Sequence, residues 1–334
     1  MEKKTRWGIL STANIAQKAM IPALKESPQA EVIAVCSRTQ EKAQSCADEL
    51  GIPRVYEGYE SLLADPEIEA IYNPLPNHLH KEWTIRAAEA GKHILCEKPL
   101  GLNTDECHEM IAAAESNGVQ LMEAFMYRYH PRILAAREML RTGVIGEART
   151  IESAFCFKLT NKNNIRYQPD MGGGALMDVG CYCVNISRLM AGREPVAVQA
   201  RAHWASTGVD DQLTGILDFG DGLMAHFDCA INQERRQRCI VAGSEGYLEL
   251  PMTFTPLNAM RVPIETLIHE EKGTDTSRVH TFPAVNMYRL LAEDFMQTIT
   301  GSPPAFPIED AVSNMRVIQA LLASARQNGH PVAP

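Results

Sequence analysis

Three stretches carry residues that could move or hold a proton. The first is Cys96-Glu97-Lys98-Pro99, which ends the short apolar run that includes Ile94 and Leu95. Proline disfavours helical geometry at Lys98 and offers no ladder hydrogen bond, so a strand here stops and delivers a lysine to its carboxyl end, beside a glutamate. Partial desolvation can lower an ammonium pKa towards neutrality and fit it for proton transfer. Taken alone, such a lysine is more often simply solvated. The second stretch is Gly172-Gly173-Gly174 with Asp178 and Tyr182 after it. Four residues apart on a helix, Asp178 and Tyr182 share a face, and Asn185 and Arg188 continue it. A titratable face on early helical turns suits a cleft wall; the alternative is a glycine-rich loop, a capped helix and a core tyrosine. The third stretch, Ala124 to Pro131, is dense in aromatics and contains Arg128 and His130. It either lines a cleft or anchors a helix expected over 131–142.

The elements that must position these residues follow from periodicity. Trp7 to Leu10 reads as a strand and Ser11 to Asn14 as a tight turn. A helix with Ile15, Ala16, Ala19, Met20, Ala23 and Leu24 on one face follows, kinked or shortened by Pro22. Val32 to Cys36 is a continuous apolar run, as expected of a parallel strand buried on both faces. Strand, helix and strand within about thirty residues form the βαβ unit of a dinucleotide fold, whose ligands bind at the strands' carboxyl ends. The G-x-G-x-x-A positions are Ser11, Ala13 and Ala16, so the fingerprint is degenerate. Ser11 or Thr12 could offer a hydroxyl to phosphate, and backbone N–H groups from Ala13 through Asn14 and Ile15 could complete an anion site. A plain structural turn is the alternative.

The second strand ends in Ser37-Arg38, with Lys42 one turn later, where an NAD site usually places an acid. A hydroxyl and a guanidinium suit a 2′-phosphate, so NADP(H) is the preferred cofactor and NAD(H) the alternative. After a strand over Ile68 to Tyr72, the loop Asn73 to His80 contains two prolines and reaches the same sheet edge, with Asn77 a candidate helix cap. Leu75, Pro76, Asn77 and His80 are therefore candidate cofactor contacts, together with Glu97, Lys98 and Arg128. His78 and His80 have no nearby acid or cysteine to complete a metal site, and no metal is expected.

From about Glu147 the pattern changes to alternating segments over 148–159, 196–205, 212–219, 223–231 and 238–242, with Asp221-Gly222 as a hairpin turn. Two late amphipathic helices contain Tyr288 to Ile299 and Ala311 to Ala325. The expected architecture is an N-terminal doubly wound Rossmann sheet, residues 1–124, and a C-terminal α+β domain, residues 125–334, with a large, mainly antiparallel, open-faced sheet. The 334 residues carry a net charge of -9, with 45% apolar and 22% charged residues, which argues against nucleic-acid and membrane-surface binding. The 9 cysteines lack paired zinc spacing and read as reduced thiols of a cytoplasmic protein. The start, Met1 to Lys4, leads to no signal-peptide core.

With Pro76-Asn77…His80, Glu97-Lys98-Pro99, the first βαβ unit and Gly172 to Tyr182 in place, the chain resembles the glucose–fructose oxidoreductase / inositol dehydrogenase / MocA family over nearly its whole length. The resemblance implies pyridine-nucleotide redox chemistry on sugars or related alcohols, a sheet-bearing substrate domain and homodimers or higher homo-oligomers. It maps the family lysine onto Lys98 and the aspartate onto Asp178. Tyr182 stands where the family usually has histidine, which resembles the branch of dimeric dihydrodiol dehydrogenases and D-xylose 1-dehydrogenases. Lys98 and Tyr182 would form a proton relay, with Lys98 lowering the phenol pKa or the roles reversed. Asp178 would orient substrate hydroxyls or Lys98, and Arg128 and Tyr167 are further substrate candidates. A non-catalytic NAD(P) or sugar sensor on the same fold is the competing reading; a metal-dependent lyase or hydrolase lacks a ligand cluster.

Overall fold

The computed structural model describes residues 3–255, 264–271 and 277–334; Met1 and Glu2 of the basic start lie outside them. The chain divides into two compact units, Met1–Met126 with Asn286–Val312, and Tyr127–Val285 with Ser313–Pro334. A single boundary at 124 therefore misses the return of the chain to the first unit. The helix Met287–Ile299 makes that return, and its Phe295 packs on Trp7 with ring centroids 5.5 Å apart.

The first unit is built on six strands: β1 (Thr5–Leu10), β2 (Ala30–Ser37), β3 (Arg54–Glu57), β4 (Ala70–Asn73), β5 (His93–Cys96) and β6 (Leu121–Glu123). They are parallel, in the order β3-β2-β1-β4-β5-β6, so the order reverses beside β1. Ile9, Leu10, Val35, Ile71, Ile94 and Leu95 are fully or almost fully buried, which is why these strands read as unbroken apolar runs. The short β3 has no such run; its residues are half-buried at the sheet edge, and its signal is weak in the sequence. Pro22 does shape the first helix. The backbone widens into a π-helical turn over Ala16–Met20 directly ahead of Ile21–Glu26, which has proline in its first turn. Widening accommodates a proline that cannot donate a ladder bond.

The second unit carries eight strands: β7 (Ala148–Lys158), β8 (Ala197–Trp204), β9 (Asp210–Asp218), β10 (Met224–Ala230), β11 (Asn232–Gly243), β12 (Gly246–Pro251), β13 (Ile264–Glu271) and β14 (Ser277–Pro283). Their order is β14-β13-β12-β11-β7-β10-β9-β8, antiparallel except for the β7–β10 pair. The β9–β10 hairpin turns at Asp221 and Gly222, both at positive φ (52° and 78°), as the right-handed twist of a hairpin demands. Among the described residues no helix is long and apolar enough to cross a membrane, and no three His, Cys, Asp or Glu side chains cluster to hold a metal.

Candidate active site

Each unit holds one part of the candidate machinery, and each is built from its own backbone. In the first unit, β1 is followed directly by Ser11, which takes φ = 100°, a conformation normally left to glycine. The turn thus keeps the bend of a first-glycine position although the residue has changed. Ser11 Oγ accepts a hydrogen bond from Ala13 N at 3.2 Å, and the Gln17 amide donates to Thr12 O at 2.6 Å. Ser11, Thr12, Ala13 and Ile15 are partly exposed and Asn14 is exposed, so the turn is open to a ligand. Ser37, the last residue of β2, is buried, whereas Arg38 and Lys42 are exposed.

The Lys98 loop is held by buried groups on several sides. The Tyr72 hydroxyl donates to Glu97 Oε1 at 2.6 Å, and Glu97 N bonds Asn73 O at 3.0 Å. Glu123 Oε1 accepts from Leu100 N at 2.8 Å. His80 is fully buried, with Nδ1 2.9 Å from Pro99 O and Nε2 2.7 Å from Leu75 O. Burial holds its imidazole down at about 4 against the raising effect of those carbonyls. The Lys98–Pro99 peptide is cis, and Lys98 itself is partly exposed. Desolvation and the Glu97 carboxylate push the Tyr288 phenol up.

Three candidates of this loop take structural places. His80 is a fully buried strut joining the Pro74–Pro76 loop to Pro99. Leu75 is buried, with N–H on Asn73 Oδ1 and C=O on His80, so it has only apolar surface to offer. Asn77 opens a 3₁₀ turn, Asn77–Leu79, and the helix His80–Glu89 starts after Leu79 without a side-chain cap.

In the second unit the glycine triplet closes tightly on the segment before it. Gly173 N bonds Gln168 O and Gly174 N bonds Arg166 O, at 3.1 and 2.9 Å. A Cβ on Gly173 would lie 2.6 Å from Arg166 O, and Gly174 turns at φ = 120°. The closure brings Arg166 to the π-helical turn Leu176–Gly180, which opens the helix Cys181–Ala191, and there its Nε lies 2.5 Å from Asp178 Oδ2. Asp178 and also Tyr182 act electrostatically on Arg166 and raise its pKa. Tyr182 is buried among rings, with centroids 5.8 Å from Tyr127, 5.3 Å from Phe155 and 5.4 Å from Phe254. Gly180 lets the helix lie on β10, since a Cβ there would meet Cys229 Sγ at 2.7 Å.

The expected polar face is divided by this packing. Asn185 accepts from the Tyr127 hydroxyl at 2.6 Å, and Arg188 binds Glu194 at 2.6 and 2.7 Å and Asn314 at 3.3 Å. Both are buried braces, leaving Asp178 and Tyr182 with Arg166. Tyr167 is fully buried and its hydroxyl lies 3.4 Å from Leu159 O and from Ile231 O, so it fastens two strand ends. Arg128, in the turn Met126–Tyr129, is 3% exposed. Arg166 is the participant that sequence spacing does not signal: it precedes Asp178 by a loop with no periodicity, and only the glycine triplet hints at the closure.

A parallel sheet in the order β3-β2-β1-β4-β5-β6, reversing beside β1, is the frame of a nucleotide-binding domain. Residues 5–125 match the family model described as the oxidoreductase family, NAD-binding Rossmann fold, and residues 133–249 match the GFO/IDH/MocA C-terminal domain. The chain belongs to the GFO/IDH/MocA oxidoreductase family. It is 38% identical to a D-xylose 1-dehydrogenase (NADP(+)) of Haloferax volcanii, over 96% of this chain and 97% of that one. It is 35% identical to the trans-1,2-dihydrobenzene-1,2-diol dehydrogenase of Mus musculus, over 75% and 76%. Among solved structures it resembles a 3-ketoreductase from Actinomadura kijaniata in complex with NADP and TDP-benzene, with TM-score 0.89, 30% identity and coverage of 96% and 98%. That ketoreductase is also known with one tyrosine changed to phenylalanine and with one lysine changed to alanine.

Proposed function

We propose that this protein is an NADP(H)-dependent dehydrogenase or reductase acting on a sugar or related cyclic alcohol or carbonyl. The observation that carries the reading is the carboxyl edge of the first sheet. There Ser11 keeps a glycine-like bend after β1, Arg38 follows β2, and Lys98 follows β5 on a loop fixed by His80, Glu123 and Tyr72. The open turn at Ser11–Ile15 fits a pyrophosphate, and Arg38 with Lys42 fits a 2′-phosphate. The NADP named for the xylose dehydrogenase and the ketoreductase supports the same choice. In this reading the first unit binds the nucleotide, and the second supplies the substrate-binding residues and the surface for homodimerisation.

When bound, the nicotinamide supplies the hydride acceptor or donor. The substrate carbon loses or gains a hydride, and its oxygen loses or gains the matching proton. Tyr182 handles that proton, with Lys98 in the relay, and Asp178 orients the substrate hydroxyls. The Arg166 cation favours the phenolate form of Tyr182. A sensor would have no use for a proton acceptor shaped in this way. Titration with NADPH and with NADH, followed by fluorescence, tests the cofactor. Turnover of D-xylose, dihydrodiols and keto-sugars, with Lys98→Ala beside the parent, tests the chemistry. Lys98→Ala is expected to bind NADPH and to lose turnover; retained turnover removes Lys98 from the relay, and no binding of either nucleotide favours the sensor.

A further inference from the structure

We infer that Tyr59 is a cofactor-selecting residue whose hydroxyl donates a hydrogen bond to the 2′-phosphate held by Arg38. The inference rests on the NADP(H) reading above and adds a residue that neither the fingerprint turn nor the Ser37-Arg38 pair points to.

Strand pairing sets its position. Ser37 at the end of β2 is in register with Glu57 at the end of β3, and Gly58 N then bonds Ser37 O at 3.0 Å. Gly58, at φ = 80°, turns the chain so that the short helix Tyr59–Leu63 starts beside Ser37 and Arg38. Tyr59 therefore stands two residues past the Ser37–Glu57 pairing, at the strand edge from which Arg38 emerges, and the Arg38 guanidinium acts electrostatically on its phenol. On the same strand Cys36 has its Sγ 3.5 Å from Ile9 O, and its carbonyl accepts from Ser11 N at 3.1 Å. This edge is where the phosphates of a dinucleotide would lie.

The ring is propped from the opposite direction. Tyr59 packs edge-on against Trp83, centroids 4.6 Å apart at 73°, and Arg86 lies 4.7 Å over the Trp83 ring. Arg86 in turn pairs with Glu60 at 2.7 Å and Glu82 at 2.8 Å, which neutralises the acid next to Tyr59. The ring is thus fixed while its polar end stays open. Among the described residues the Tyr59 hydroxyl has no hydrogen-bond partner, and it is not sealed from solvent. A phenol held in place at the edge that carries Arg38 can donate to a doubly charged phosphate oxygen, and such charge-assisted bonds are the stronger kind.

The test is a fluorescence titration of the parent, Tyr59→Phe and Arg38→Ala with NADPH and with NADH, with thermal unfolding as a check on folding. Phenylalanine keeps the packing on Trp83 and removes only the oxygen. The expected result is NADPH bound about tenfold more weakly by Tyr59→Phe with NADH affinity unchanged. Parent-like NADPH binding in Tyr59→Phe, with Arg38→Ala losing the preference, overturns the role of Tyr59 and leaves the cofactor reading standing. Equal weakening for both nucleotides also overturns it, since the bond would then go to a part they share. If the parent and Arg38→Ala alike show no NADPH preference, the cofactor reading itself fails and this inference falls with it.

Discussion

Arg166 Nε lies 2.5 Å from Asp178 Oδ2, and the same guanidinium is coupled to Tyr182, so a carboxylate, a phenol and a cation meet on one glycine-shaped loop and one helix. The cation has a direct consequence for pH dependence. A positive charge stabilises phenolate, so its loss raises the phenol pKa. Tyr182 otherwise faces Tyr127, Phe155 and Phe254, with Asp178 one helical turn before it. In Arg166→Met the basic limb of the kcat/KM–pH profile for carbonyl reduction, where the neutral phenol gives the proton, and the acid limb for alcohol oxidation, where the phenolate takes it, should both move to higher pH, and Arg166→Lys should restore them in part. An unmoved limb in both variants would detach Arg166 from the chemistry.

Gly173→Ala should break this assembly without touching a polar group. Its Cβ would stand 2.6 Å and 2.8 Å from the carbonyl oxygens of Arg166 and Gln168, which are backbone atoms with little room to yield. Overpacking of this kind costs about 1–3 kcal/mol. Thermal unfolding should show the loss, and activity should fall further than stability because Arg166 is displaced.

Ser11→Gly is expected to act in the opposite sense. Serine at φ = 100° is strained, and glycine adopts that angle freely. The variant should be more stable by about 1 kcal/mol, less the Ser11–Ala13 hydrogen bond. NADPH binding should be kept. A destabilised variant would mean that the Oγ–Ala13 bond outweighs the strain.

Two buried groups set opposing pH trends in stability. Asp210 accepts from Leu176 N at 2.7 Å, and burial pushes its carboxyl up to about 7. The native state therefore holds a proton that the unfolded chain releases near 4, and Asp210 erodes stability as pH rises from about 4 to about 7. His130 is the reverse: burial and Arg132 hold it down at about 4, so stability falls as pH drops from about 6.5 to about 4. Asp210→Asn should raise the unfolding midpoint at pH 8 and leave it nearly unchanged at pH 4. His130→Gln should flatten the acid side only.

His80 offers a check on how Lys98 is positioned. His80 is neutral near pH 7 and carries one N–H, so His80→Phe takes the donor from one of the buried carbonyls Pro99 O and Leu75 O, at a cost of about 1–3 kcal/mol. The expected kinetic signature is a lower kcat with NADPH affinity largely retained, because His80 is fully buried and steadies the Lys98 loop. A loss confined to NADPH affinity would restore His80 to the cofactor site.

The parallel strands were legible because burial on both faces leaves an apolar run that little else explains, as in Val32 to Cys36. Lys98 was legible because Pro99 ends its strand, and the Asp221-Gly222 hairpin because it needs positive φ. These are local consequences of residue type. The strands β12 to β14 and β3 carry only weak alternation, and their pairing supplies what their sequences do not. The uses of His80, Tyr167 and Asn185 were decided by tertiary structure alone. A histidine or a tyrosine can serve equally as ligand contact or as strut, and the choice depends on which carbonyls the fold brings within hydrogen-bond reach. The same holds for Arg166: no spacing rule ties it to Asp178, and only the closing of three glycines onto its backbone creates the pair.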